Sequence, residues 1–508
     1  MGLGVFDRHV SSRRGRARRL GLAAVAALAV GGFGTLRLEE ARAGFSLPAV
    51  QAAVRLPGLP SLSTGIVDDG TFRDGTTDTR NVWLSRAQQI GSSSVRIAID
   101  WANVVSSAPR RFFRASNPAD RNYDFSLIDA SVQAAVAHHQ QVLLMVYHAP
   151  VWAEGPNRPS PQLVSPGSWY PSPKAFGAFA HAVALRYSGR FRDPRNRHAF
   201  LPRVRYFQAW NEPNLAGYLS PQYGRTTRGA YVLLSPVIYR AMLNAFYAAV
   251  KIVQPDSHVF AAGTAPFGDG PGQHTGRMSP GVFLQGLFCV TPALRRSACS
   301  GGPPHLDGLD HHIYSPPLYH AAIPGDIGIP DLNRIWRIVR AAQRLHTVLP
   351  AGQKSLWVTE VGWQSTPPDP VHLAEQAHYL ALDLYEFWSQ RVSRVFWFLI
   401  RDPVVPPGEF TANGGLYFMN GSPKPAAAAY RFPFVAVPAG HRRLTLWGTA
   451  PAVGTVVIQQ HVGRGWKSIL RLRTTSGGIF YSQIRLRGRP QLRATIGGSA
   501  SPPWIAGF

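Results

Sequence analysis

Apolar runs of five to seven residues recur along this chain, separated by longer amphipathic stretches. The runs are residues 64–69, 95–101, 141–147, 204–210, 259–263, 309–314, 355–360 and 395–399. They are rich in β-branched and aromatic residues, as strands covered on both faces are. Between them, 81–90, 127–138, 173–187, 236–253, 331–346 and 371–388 keep the period of helices with one buried side; in 331–346, Ile335, Ile338 and Val339 fall together. Eight strands alternating with helices over residues 62–433 predict an α/β fold, a parallel (β/α)8 TIM barrel. An open doubly wound sheet is the alternative, but no glycine-rich phosphate turn follows the first run.

The period changes at Phe434. Residues 444–447, 455–459, 468–472, 480–484 and 491–496 are short alternating segments between glycine-containing turns. They predict a small C-terminal antiparallel β-sandwich over 434–508, which resembles immunoglobulin-like accessory domains. It reads either as a packing module or as a glycan- or surface-binding one, with Trp447, Trp466 and Trp504 as platforms. At the other end, Arg8, Arg13, Arg14, Arg16, Arg18 and Arg19 precede an apolar stretch, 20–30, and Ala41-Arg42-Ala43. That is the pattern of a secretory signal peptide, 1–43, and a Pro- and Leu-containing linker, 44–61, follows. Left uncleaved, the same segment would be a short anchor. The expectation is a secreted or cell-surface protein without stable membrane insertion after cleavage.

The net charge is +26, nearly all from arginine. The arginines are scattered and no RNA-binding motif accompanies them, so no nucleic-acid partner is expected; an acidic glycan or anionic cell surface stays open. Export permits a disulfide between Cys289 and Cys299, which would close a small loop and contribute roughly 2–3 kcal/mol; two free buried thiols are the alternative. Neither the cysteines nor His138-His139 and His311-His312 have zinc-ligand spacing, and there is no acidic calcium loop, so no metal or cofactor is expected.

The candidate chemistry lies at two strand ends. The fourth run stops at Trp210-Asn211-Glu212-Pro213-Asn214, where Pro213 cannot extend a ladder. The seventh ends in Val358-Thr359-Glu360-Val361-Gly362-Trp363. A lone Glu-Pro often does no more than cap a loop. Two strand-end glutamates are a different matter, because a barrel brings all strand C-termini to one face and a carboxylate pair is what glycoside hydrolysis needs. Trp-Asn-Glu-Pro-Asn followed by Val-Thr-Glu-Val-Gly-Trp resembles the retaining glycoside hydrolases of clan A, nearest families 5 and 39, over roughly residues 62–432.

The resemblance implies a retaining O-glycosidase acting on β-linked oligo- or polysaccharide, with Glu212 as acid/base and Glu360 as nucleophile; a monomer is expected. It also implies a supporting shell. Asn211 would bond the sugar 2-hydroxyl. Arg96 would hold Glu360 ionised. Tyr314, of His312-Ile313-Tyr314, would donate to Glu360, with His312 facing the same way. Trp397 would form the floor beneath the cleaved sugar, and His148 and Trp152 are candidate sugar contacts. Each has a plainer reading: a buried ion pair for Arg96, hydrogen-bonded core groups for His312 and Tyr314, core packing for Trp397. The competing function is a non-catalytic glycan- or cell-surface-binding protein on the same scaffold.

Overall fold

The computed structural model describes residues 60–270, 272–365, 371–403, 414–440 and 442–506; the expected signal peptide, and the linker up to residue 59, lie outside them. The described residues form two compact units. One contains Leu62–Gly362 and Glu386–Ile400; the other contains Trp363–Tyr385 and the chain from Arg401 on.

The first unit is a closed barrel of eight parallel strands: Ser63–Val67, Ser94–Asp100, Gln141–Tyr147, Tyr206–Ala209, His258–Thr264, Gly308–Ile313, Ser355–Val361 and Arg394–Phe398, called here strands one to eight. Each expected run contains its strand or overlaps it. Closure is direct, since Val67 of strand one lies opposite both Arg96 of strand two and Phe398 of strand eight. Strand four stops at Ala209, one residue before the end of its apolar run, because Trp210 turns out of the extended region, at φ 73°. A hairpin that the sequence pattern does not announce, Tyr223–Arg225 with Tyr231–Leu233, sits in the loop after it.

The barrel interior explains where a site can be. Val67, Leu143, Phe260 and Trp357 form one apolar cluster with Phe396. The first four come one each from the odd strands, the layering that fills such barrels. Large rings fit because glycine stands opposite them: a Cβ on Gly65 would come 2.7 Å from the Phe396 ring, and one on Gly308 2.4 Å from Phe260. The interior positions of strands two, four and six hold Arg96, Gln208 and Asp310 instead, all buried. Charge is therefore built into the barrel and has to be satisfied there.

The helices cover the outside. Pro173–Arg186 starts with proline at its first position and Ser172 capping the Ala175 amide at 3.3 Å. It buries Phe176 and Phe179, and Phe179 stacks on Trp101 at 5.3 Å between centroids. Cys289 and Cys299 are disulfide-bonded, with Cα atoms 5.3 Å apart. No helix among the described residues is long and apolar enough to cross a membrane.

In the second unit the expected segments lie within two antiparallel sheets. One is ordered Phe434–Pro438, Arg443–Thr449, Ile479–Arg485. The other is ordered Gly465–Arg473, Thr455–Val462, Gln491–Ile496, Ser499–Ala500, with Trp504–Ile505 also paired to Gln491–Ile496. Trp447 and Trp504 are buried, at 0% and 4% exposure, so they cannot serve as surface platforms; Trp466 is half-buried.

Candidate active site

The strand ends are shaped by departures from regular backbone. Beyond strand four, Trp210 and Glu212 both take positive φ, 73° and 39°. For residues with a Cβ this costs about 1–3 kcal/mol each and persists only where neighbours enforce it. Here the Trp210 amide donates to Val146 O at 2.8 Å, its indole Nε1 donates to Tyr218 O at 2.9 Å, and the Glu212 amide donates to Gly263 O at 3.1 Å. Asn214 of the same motif is scaffolding: its side chain donates to Ala265 O and Met278 O and accepts from the Ala265 amide.

Two bulges aim the rest. On strand seven, Val358 lies opposite His311 and Glu360 opposite His312, so Thr359 is an extra residue. A bulge re-aims the side chain beside it, and here that side chain is Glu360. On strand five the extra residue is Gly263, between Ala262 and Thr264. Its backbone has φ +47°, and a Cβ there would lie 2.7 Å from the Gln208 amide, 3.0 Å from Asp310 and 3.1 Å from His312.

What converges is a compact ionic network. Arg96 is 2% exposed and donates three ways: Nε to Gln208 Oε1 at 2.8 Å, Nη1 to Glu360 Oε1 at 2.8 Å, and Nη2 to Asn211 Oδ1 at 2.7 Å. The Tyr314 hydroxyl donates to Glu360 Oε2 at 2.7 Å. His312 Nδ1 stands 2.9 Å from Glu212 Oε1 and 3.5 Å from Glu360 Oε1. One oxygen of each glutamate and a His312 nitrogen all lie within 4.8 Å of one another. Those are donor types a metal would accept, but the Arg96 guanidinium already supplies the cation at Glu360.

The charges are unequal in effect. Burial alone pushes Glu360 up; His312 and Arg96, with hydrogen bonds from Tyr314 and Arg96, outweigh it and hold the carboxyl below the usual carboxylate range. Burial pushes His312 down, but Glu360 and Glu212 more than offset that, so the imidazole is held above its ordinary value and its Nδ1–H donates. Burial and the Glu360 charge raise the Tyr314 hydroxyl well above its normal range, which keeps it a donor even though 39% of the residue is exposed. Asp310 accepts from the Gly263 amide at 2.9 Å and from Thr359 Oγ1 at 2.9 Å, and burial pushes it up to about 6. His311, the neighbour of His312, is turned elsewhere: its Nδ1 meets Thr264 Oγ1 at 2.8 Å, and burial pushes it down to about 3.

Of the residues singled out in the sequence, Arg96, Asn211, Glu212, His312, Tyr314 and Glu360 come together. His148 is at the end of strand three, 3.4 Å from Asp100, its ring tilted on Tyr147 at 4.2 Å and stacked with Tyr218 at 6.1 Å. Trp152 packs edge-on against Trp101 and Phe113, in the aromatic core beside helix Pro173–Arg186. Trp397 requires a correction. It is 2% exposed, and its strand neighbours Phe396 and Phe398 are the ones that pack on the interior cluster. Side chains alternate along a strand, so Trp397 faces out of the barrel and cannot be the floor. Phe398 takes the interior position, half-buried, with its ring 6.3 Å from that of Tyr314.

Sequence reasoning missed Gln208, Asp310 and Tyr218. The first two carried a signal: a polar residue inside an apolar strand, and an acid two places before His312 on the same face. Tyr218 carried none. It lies in the loop after strand four, and burial together with the Glu212 and Glu360 charges raises its hydroxyl well above the ordinary value.

No protein-family model and no curated protein matches the chain in sequence. In structure it is similar to a family 39 glycoside hydrolase from the gut symbiont Bacteroides cellulosilyticus, at 19% identity and a TM-score of 0.52 over 86% of this chain and 81% of that one. That likeness establishes the barrel fold. A glucosidase from Croceicoccus marinus also resembles the chain, at 13% identity and a TM-score of 0.48, over 85% of this chain and 94% of that one.

Proposed function

We propose that the chain is a secreted retaining glycoside hydrolase of clan A that cleaves a β-linked oligo- or polysaccharide. The observation that carries this reading is the pair of glutamates with oxygens within 4.8 Å and unlike partners, Arg96 and Tyr314 on Glu360, His312 on Glu212. Retaining glycosidases need carboxyl groups about 5–5.5 Å apart, whereas inverting ones need about 6.5–9.5 Å to hold a water between them.

The two roles follow from the partners. Glu360, held ionised, attacks the anomeric carbon; the C1–O bond breaks as Glu212 gives its proton to the leaving oxygen. A glycosyl ester on Glu360 results. Glu212 then takes a proton from water, which attacks C1 and frees Glu360, so the configuration is retained. His312 keeps Glu212 placed while its proton leaves and returns. Asn211, with Oδ1 fixed by Arg96, turns its Nδ2 donor to a sugar hydroxyl. Phe398 offers the ring face on which the sugar rests. The same reading takes the two C-terminal sheets as an immunoglobulin-like sandwich, supported by the bond from Trp504 Nε1 to Ala436 O.

The test is turnover on a panel of aryl β-glycosides with NMR of the first-formed anomer. The wild type should release the β-anomer. Glu360→Gln should lose about 10⁴-fold or more, and Glu212→Gln about 10²–10⁴-fold on poor leaving groups. Full activity in either variant, or an inverted product, overturns the mechanism. Binding to glycans without any product would favour the non-catalytic alternative.

A further inference from the structure

The last acidic residue of the chain is Glu409; residues 434–508 contain ten arginines and lysines and no aspartate or glutamate. Three of those arginines share one surface. In the sheet around Thr455–Val462, Arg471 lies opposite Val457, Arg473 opposite Thr455, and Arg493 opposite Gln459. Val456, Ile458, Leu472, Leu492 and Ala494 are buried and take the other side. Opposed residues in a ladder point the same way, so the three arginines stand on the outer face. Arg471 and Arg473 make no side-chain hydrogen bond or ion pair among the described residues.

Arg493 is held in place. Its guanidinium lies 4.2 Å from the Trp466 ring centroid, and its Nε donates to Gln459 Oε1 at 2.8 Å. Among the described residues that leaves the outer nitrogens of a flat, fixed fork without a hydrogen bond, which is the geometry that takes a carboxylate by two parallel bonds. Arg471 and Arg473 follow at a strand spacing of about 6.8 Å, two residues apart. Like charges gathered without internal counter-charge leave a positive potential that attracts anionic partners.

Three polyanions are to be separated. A lipid surface wants an apolar patch to insert, and among the described residues this face offers two aliphatic side chains, Val457 and the exposed Ile505 opposite Gln491, and a Trp466 already capped by Arg493. A nucleic acid strand wants a row of stacking rings, and among the described residues Trp466 has only the His461 imidazole beside it, edge-on at 5.1 Å. Repeated carboxylates need only the forks. We infer that this outer face binds a carboxylate-bearing polysaccharide, tethering the chain to an acidic glycan matrix. The inference rests on the second unit alone and stands or falls separately from the hydrolase reading.

The experiment uses the full chain, polygalacturonate as probe, neutral dextran and single-stranded DNA as competitors, and the variant R471Q/R473Q/R493Q. Wild-type protein should bind polygalacturonate, about tenfold more weakly at about 200 mM than at about 50 mM salt, and ignore dextran. The triple variant should lose about tenfold at the lower salt while keeping its circular dichroism and aryl-glycoside turnover. R471Q/R473Q, which removes no side-chain bond among the described residues, should lose part of the affinity. Unchanged affinity in both variants, equal binding of dextran, or displacement by DNA at lower concentration than polygalacturonate would each overturn it.

Discussion

The barrel mouth and the C-terminal sheets handle charge in opposite ways. At the mouth, Arg96, His312, Glu212, Glu360 and Asp310 are crowded together and largely buried, and each has a partner of opposite sign or a hydrogen bond. In the sheets, basic residues are spread over exposed strand positions with no acid among them. Arg443 even stands directly opposite Arg485. Burial makes a charge costly unless it is paired, so charges survive inside the barrel only as a network. Exposure makes an unpaired charge cheap, so like charges can accumulate where water screens them. A network fixes geometry, which chemistry needs; an unpaired array leaves its attraction free for something outside.

That contrast can be broken most severely at Arg96. Replacing it with methionine leaves Glu360, Asn211 and Gln208 without their common donor. We expect a loss of about 3–5 kcal/mol in stability, from a buried charge left alone, and a fall of about 10²–10³-fold in kcat/KM. The sign with pH follows from the direction of the Glu360 shift. Its carboxyl is held below the usual range, so the stability it contributes is present above its unfolded value and is lost as pH falls through the lower folded value. Without Arg96 the acid limb of the rate profile should move up in pH. An unmoved limb in the variant would separate Arg96 from Glu360.

Asp310 gives the next largest effect, and of the other sign. Its carboxyl is pushed up to about 6 by burial, so the folded chain holds that proton more tightly than the unfolded one. Stability should therefore fall as pH rises from about 4 to about 6, by up to about 3 kcal/mol if nothing else titrates. Asp310→Asn should flatten that stretch in denaturant titrations run at each pH. A wild-type curve that is already flat would mean the site holds Asp310 ionised throughout.

The smallest effect belongs to the sheets. Arg443→Glu places an opposite charge against Arg485 and should stabilise by about 0.5 kcal/mol at low salt, vanishing at high salt. A destabilised variant would mean that the arginine is paired rather than tolerated.

Most of the barrel was legible because fully buried parallel strands write themselves as apolar runs, and the glutamates were legible because each ends such a run. Parity was harder. Which ring of Phe396-Trp397-Phe398 faces inward is decided by pairing with strand one, where Val67 is interior and opposite Phe398. A shift of one residue turns every side chain to the other face, so the floor that the resemblance implies at Trp397 falls instead to its neighbour Phe398. The bulges at Gly263 and Thr359 leave no mark in the hydrophobic pattern, although they aim the site. Asp310 was within reach of the same alternation that picked out His312 and Tyr314.

The central claim is that Glu360 is the nucleophile, held ionised beside a proton-donating Glu212. The most direct measurement is rescue of Glu360→Ala by azide on an aryl β-glycoside that the wild type turns over. Restored turnover with an α-glycosyl azide as product is the predicted result, because azide enters from the side that Glu360 vacates. No rescue, or a β-glycosyl azide, would contradict it.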